Sequence, residues 1–191
     1  MKENRLTYGL KNVHYAPFEI GADGIPVFEK PMKYPGAVEI TNDAKGDATE
    51  FFADDTTYFV TVSNQGYEGA YTAAETPEDF RIKVLGETLI NGLLVEKTSA
   101  KIKPVALLFE FDGDVKATRH ALLNVTFNRP GFGSKTKESS IEPNTKELSY
   151  IAAPLNELTK ISTSGVTPEE IYNNWFEEVQ YEAMTTTIPT P

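Results

Sequence analysis

The chain contains no cysteine and only two histidines, His14 and His120. Without cysteine there is neither a disulfide framework nor a thiolate metal site, so the fold stands on its core or on its neighbours. No apolar run approaches the roughly 20 residues that a membrane-spanning helix needs. The polar start Met1-Lys2-Glu3-Asn4-Arg5 leads into no hydrophobic signal segment. The expectation is a protein made and kept in the cytosol unless something larger carries it out. Positive charge is scarce too: 18 Lys and Arg face 28 Asp and Glu, a formal net charge of −10. That balance repels a phosphate backbone instead of releasing its counterions, which argues against tight nucleic-acid binding. The same charge suits a solubilised surface, or a wall past which DNA slides without sticking.

Signatures of chemistry are also missing. His120 falls on the expected polar face of a strand with no Cys, Asp or Glu at ligand spacing, so no metal site is expected. No Gly-x-Ser-x-Gly elbow accompanies either histidine. Gly66-Tyr67-Glu68-Gly69 lacks the third glycine and the following helix of a dinucleotide loop. The neighbouring carboxylates Asp54-Asp55 and Glu177-Glu178 say nothing about the spatial separation that glycoside hydrolysis requires, and Asp54-Asp55 reads as a turn. No enzymatic activity and no cofactor are expected. Tyr58, Tyr67 and Tyr71 invite comparison with a stacking platform for sugars or bases, although such residues more often serve core or interface.

What is present is a β-rich pattern. The 191 residues, 40% hydrophobic and 24% charged, fit one folded domain that buries roughly 70% of its unfolded surface. Short alternating segments rich in Thr, Tyr, Phe and Val, punctuated by Gly, Asn, Asp and Pro, predict antiparallel strands. The clearest pair covers 105–111 and 118–129, turning at Asp112-Gly113-Asp114. Val105, Leu107, Phe109 and Phe111 share one face of the first strand, and Ala121, Leu123, Val125 and Phe127 one face of the second. His120, Asn124, Thr126 and Asn128 lie opposite, as in a half-buried hairpin. Further strands are expected at 37–41, 50–53, 57–62, 67–75 and 147–153. Ser63-Asn64-Gln65-Gly66 is expected to turn 57–62 back onto 67–75.

Two helix starts repeat one pattern, Thr76-Pro77-Glu78-Asp79 and Thr167-Pro168-Glu169-Glu170. In each, threonine can cap, proline suits the first turn and the acids answer the helix dipole. The first helix is expected to stop at Gly86 with Phe80 and Val84 on one side. The second, over about 168–179, carries Ile171, Trp175 and Val179 on a stripe that docks on a sheet. Long connections are left at 42–49, 88–103 and 130–146, lengths that imply function or disorder. A weak break near Ser162-Thr163-Ser164-Gly165 divides a β domain over 1–160 from a C-terminal helix and tail over 161–191.

Several segments, taken in order and spacing, resemble the phi13 family of phage major tail proteins across most of residues 6–155. They begin with Tyr8-Gly9-Leu10-Lys11-Asn12-Val13-His14-Tyr15-Ala16 and continue through Phe51-Phe52-Ala53-Asp54-Asp55 and Asn64-Gln65-Gly66-Tyr67-Glu68-Gly69. The most distinctive stretch joins Leu94-Val95-Glu96-Lys97 to Ala106-Leu107-Leu108-Phe109-Glu110-Phe111-Asp112-Gly113-Asp114, and then to Ala117-Thr118-Arg119-His120. The resemblance implies a mainly β fold, a β-sandwich of antiparallel sheets with one or two short flanking helices. It implies a structural subunit of a non-contractile phage or prophage tail, in hexameric rings stacked into a tube. Its partners would be other copies of itself, a tape-measure protein, a tail terminator and a baseplate or distal tail protein. DNA would pass through the lumen without specific binding, and the protein would reside in the virion tail after assembly in the host bacterial cytoplasm.

In that setting the polar strand residues Thr57, Thr61 and Ser63 are expected to face the lumen. Tyr67, Lys97, Gly131, Lys135 and Glu138 are expected at lumen or ring contacts, along with both termini. The competing expectation is a carbohydrate-binding β-sandwich module on a virion or cell surface, and a third is a hydrolase on an unfamiliar β scaffold.

Overall fold

The computed structural model describes residues 4–53, 55–136 and 144–185. In chain order the strands are β1 (Thr7–Ile20), β2 (Pro26–Phe28), β3 (Met32–Lys33), β4 (Ala37–Lys45), β5 (Ala48–Ala53), β6 (Thr56–Val62) and β7 (Gly66–Ala73). Helix α1 (Glu78–Lys83) follows, then β8 (Thr88–Ile90), β9 (Leu93–Val95), β10 (Val105–Gly113), β11 (Thr118–Phe127), β12 (Lys146–Ala152) and β13 (Lys160–Ser162). Two short helices, α2 (Glu169–Asn173) and α3 (Glu182–Thr185), flank a 3₁₀ turn at Asn174–Phe176. The fold is mainly β and antiparallel, as the alternating segments predict.

The main sheet runs β2-β1-β10-β11-β12-β7-β4, with β3 paired to β1 and β13 to β11. It curls until β4 lies against β1, so one face encloses a continuous core. Tyr15, Tyr34, Tyr71, Phe80, Phe127 and Tyr150 fill that core. Their rings meet edge to face, with centroids 4.9 Å apart for Tyr15 and Phe80, and 5.3 Å for Phe80 and Phe127. Such pairs add roughly 0.5–1.5 kcal/mol each beyond the area they bury. Phe80 and Val84 enter from α1 as their spacing predicts. Neither predicted threonine cap forms, because each helix starts one residue later, with Pro77 or Pro168 at the N-cap and no side-chain cap bond. Thr167 Oγ1 instead accepts a bond from the Ser164 N–H, 2.8 Å away.

The hairpin predicted as half-buried is buried on both faces. Val105 through Phe109 are all inaccessible, odd positions facing the first core and Ala106 and Leu108 a second. The expected stripe on β11 is split as well. Leu107 pairs with Leu122 but Val105 with Val125, so a β-bulge inserts one residue on β11. That insertion reverses the alternation: Ala121 and Leu123 face the second core, Leu122, Val125 and Phe127 the first. The turn also falls later than Asp112-Gly113-Asp114. The Asn4 side chain plugs it, donating to the Lys116 carbonyl at 2.6 Å and accepting from the Val115 and Lys116 N–H groups.

Glycine at 69 lets the ribbon close tightly: a Cβ there would fall 1.9 Å from the Thr41 carbonyl oxygen of β4. The Tyr150 hydroxyl donates to that same carbonyl at 2.9 Å. Segment 63–66 does not reverse the chain, since β6 pairs with β5 while β7 pairs with β4 and β12. The connection predicted over 42–49 is mostly strand for the same reason: it belongs to the ribbon.

The C-terminal segment covers the second core. Ile171, Trp175 and Val179 all pack there, although the predicted continuous helix breaks after Asn173. Adjacent Asn173 and Asn174 are weak helix formers, and the Asn174 carbonyl is taken by the N–H groups of Glu177 and Glu178. A buried charge network fastens this cover. Arg119 Nε donates to Glu110 Oε2 at 3.0 Å, the Asn12 amide donates to Glu110 Oε1 at 2.7 Å, and Arg119 Nη1 donates to the Tyr172 carbonyl. The guanidinium also stands 3.8 Å from the Tyr172 ring centroid. Truncating Arg119→Ala removes the ion-pair partner of the buried Glu110 and leaves it the Asn12 amide alone. A loss of about 3–5 kcal/mol in denaturant-measured stability is expected, and a loss under about 1 kcal/mol would refute this account of the network.

Candidate assembly surface

The second core covers only half of the outer sheet face. The other half, on β4, β7, β12 and the end of β11, is bare. Register places Glu39 beside Thr72 and Glu147, Thr41 beside Ala70 and Ser149, and Asp43 beside Glu68 and Ile151. Thr126 and Asn128 extend the row, exposed like the carboxylates. This surface is mostly short polar side chains and acids, with Ile151 exposed among them and one lysine, Lys45, paired to Glu68 at 3.3 Å. It ends at the outer edge of β4, which has no strand partner among the described residues. The opposite sheet end is blunted by a three-residue β2 that starts with Pro26.

From the β4–β7 end a two-stranded arm projects. Bonds from Ser63 N to Asp47 O and from Gln65 N to Lys45 O carry the ladder across its root. Beyond the root, β5 and β6 pair only with each other among the described residues. Pairing sets Phe51 opposite Phe59, Glu50 opposite Val60, and Ala48 opposite Val62. One face therefore shows Val60, Val62 and Tyr58, and the other Phe51 and Phe59, with exposures from 51% to 76%. An isolated two-stranded hairpin is marginally stable in water. Apolar side chains on both of its faces mark an interaction element.

The predicted 88–103 connection contains a second, smaller hairpin. Asn91 and Gly92 take φ of 51° and 78°, the paired positive values of a type I′ turn, between β8 and β9. Leu89, Ile90 and Leu93 are exposed on it. Arg129 Nη1 meets Glu96 Oε1 at 2.5 Å and ties the start of the 130–136 segment to this hairpin.

The sequence-predicted residues do not converge on one site. Thr57 and Thr61 lie on the arm, and Thr61 shares its face with Phe59; Ser63 is at the root, where its Oγ accepts from Asp47 N at 2.9 Å. Tyr67 is half-buried beside the arm, its ring 5.4 Å from the Lys160 ammonium. Lys97 follows β9; Gly131 lines a shallow cavity with Arg81, Glu87, Glu96 and Arg129; Lys135 is exposed; Glu138 lies outside the described residues. The bare acidic face was missed, although the alternation in 37–45 and 146–152 carries its signal. The three tyrosines form no platform: Tyr71 is fully buried in the core and Tyr58 stands on the arm.

Among the described residues no cluster of three metal-ligating side chains occurs. His14 stacks on Phe176 at 4.7 Å and His120 lies on the core-facing side, not the polar side, against Phe109 and Phe111. With Tyr67, Leu122 and Lys160, the rings of His120, Phe109 and Phe111 line a cavity of about 260 Å³.

No protein-family model matches the chain, and no curated protein matches it. The fold is similar to that of the tube-terminating cap of the anti-feeding prophage, at 9% identity and a TM-score of 0.49, covering 81% of this chain and 89% of that one. It is also similar to a chain of the sheath–tube complex of PVC, an extracellular contractile injection system, in its extended state (13%, 0.45, covering 80% and 88%). A third likeness is to a chain of the sheath/tube terminator of the same system (12%, 0.44, covering 80% and 93%). At these identities, with TM-scores under 0.5, the likenesses decide no role.

Two measurements follow. Burial, then the Lys160 charge, pushes the His120 imidazole down to about 4. The unfolded chain therefore takes up a proton first, and the contribution present above about pH 6.5 is lost as pH falls toward 4. Between pH 7 and 4.5 the wild type is expected to lose about 1–2 kcal/mol more stability than His120→Gln, after allowing for solvent screening; parallel pH profiles would contradict this. Phe59→Ser on the arm is expected to change monomer stability by no more than about 0.5 kcal/mol. A large drop in its unfolding midpoint would show that the arm packs on its own subunit.

Proposed function

We propose that this protein is a non-enzymatic structural subunit of a phage tail tube, built from hexameric rings that stack through copies of the same chain. The observation that carries the proposal is one continuous surface: a bare, acidic, short-chained sheet face that ends at an open strand edge and runs into an apolar arm. An open edge accepts a strand from a neighbour, and a contact between unlike surfaces repeats, giving a ring where the rotation closes and a filament where it does not. The bare face, with Glu39, Asp43, Glu68 and Glu147, would line the lumen. Its carboxylates repel DNA phosphates, so the wall does not retain what passes along it.

Assignment to the phi13 type of non-contractile tail rests on the sequence segments alone. The expected tape-measure, terminator and baseplate or distal tail partners, and residence in the virion tail, belong to the same proposal. A carbohydrate-binding module is disfavoured because Tyr58, Tyr67 and Tyr71 are separated between arm, cavity and core.

Negative-stain microscopy of the concentrated protein is expected to show stacked rings or hollow tubes of uniform bore. A protein that stays monomeric and binds glycans saturably would sink the proposal. Neutralising the face with Glu39→Gln, Asp43→Asn, Glu68→Gln and Glu147→Gln is expected to leave assembly intact. Retention of short duplex DNA by the tubes should then rise several-fold at low salt, since the repulsive term is removed. Unchanged retention would move the lumen to another face.

A further inference from the structure

Two surface elements share one defect. The β5–β6 arm and the β8–β9 hairpin are each two-stranded, each exposes aliphatic or aromatic side chains, and neither has a third strand among the described residues. Their charges are opposite. Around the arm, residues 45–65 carry Asp47, Glu50, Asp54 and Asp55 against Lys45 alone, and Lys45 is engaged by Glu68. Around the hairpin, residues 88–103 carry Glu96 against Lys97, Lys101 and Lys103. Glu96 is bound by Arg129 and Lys103 by Glu19, so Lys97 and Lys101 are left with no ion pair among the described residues.

On the arm, Glu50 stands directly across from Val60, so an acid sits within an apolar stripe. On the hairpin, Ile90 pairs with Leu93, and the lysines begin two residues past the end of β9. An apolar stripe edged with acid therefore matches an apolar stripe edged with base.

We propose that the arm of one copy docks on the β8–β9 hairpin of another, through Tyr58, Val60 and Val62 against Ile90 and Leu93, with Glu50 and Asp47 facing Lys97 and Lys101. The proposal deepens the tube reading and rests on it, because it names the acceptor of the arm. Unlike surfaces meet in it, so the contact is heterologous and propagates, whereas arm-to-arm contact would close a dimer. Opposed charges also fix the register and reject the arm-to-arm alternative, where like charges would meet.

The absence of native cysteine makes the test clean. Val60→Cys and Leu93→Cys, each on the full chain at an exposed position, are mixed in equal amounts and oxidised. The mixed disulfide is expected to exceed either homodimer about tenfold, the excess given by about 1.4 kcal/mol of preference. Lys97→Glu with Lys101→Glu is expected to abolish both the mixed disulfide and assembly, and Asp47→Lys with Glu50→Lys in the same chain to restore them.

Tubes without a mixed disulfide would overturn the docking and leave the tube reading standing. A mixed disulfide without tubes would support the docking and count against the tube. Homodimers of Val60→Cys as the main product would overturn the docking in favour of a closed arm-to-arm contact.

Discussion

Strands β10 and β11 carry apolar side chains to both faces of the sheet, and the rest of the molecule is arranged around the need to bury both at once. One face is covered by the sheet itself, which curls until β4 meets β1 around the aromatic core. The other face cannot be covered by further curling, so the C-terminal segment is drawn over it with Trp175 and Tyr181. The Arg119–Glu110 pair lies at that seam, and its worth is in fixing where the cover sits, because a buried ion pair contributes little net stability over an apolar alternative.

The constraint also explains what is left bare. The cover extends only over β2, β1, β10 and the first part of β11, and the bulge near Asn124 marks where the outer face changes character. Beyond it the outward residues are chiefly Thr, Ser, Ala, Glu and Asp, which need no cover, with the half-exposed Ile151 set among them. A surface of that kind contributes nothing to the core and is free to be specialised. The arm is the converse case, since apolar side chains held in water at both faces cost free energy that only a partner recovers. The two features adjoin because the same ribbon, 37–53 paired with 56–73, forms both.

Much of this was legible in the residues. Alternation gave the β class and the positions of β4, β6, β7, β10, β11 and β12 to within a few residues, and helical spacing placed Phe80, Val84 and Trp175 correctly in cores. The Asn91-Gly92 pair announced its hairpin by the positive φ it tolerates, although the segment reads as a long connection when only apolar periodicity is weighed. The threonine caps failed because proline itself takes the N-cap position. The half-buried reading of 105–111 failed because it weighed the odd positions alone; the apolar Ala106 and Leu108 between them make the unbroken run of a strand buried on both faces.

The sequence by itself determined the absence of thiol chemistry, the acidic balance, the strand pattern and the two proline-led helix starts, all of which follow from residue identity and local spacing. The tertiary structure alone decided which strands pair, that a single inserted residue on β11 reverses its faces, which half of the outer sheet is covered, and that β5 and β6 leave the body as an arm. Those outcomes depend on contacts between residues far apart in the chain, and local periodicity holds no information about what finally lies opposite a side chain.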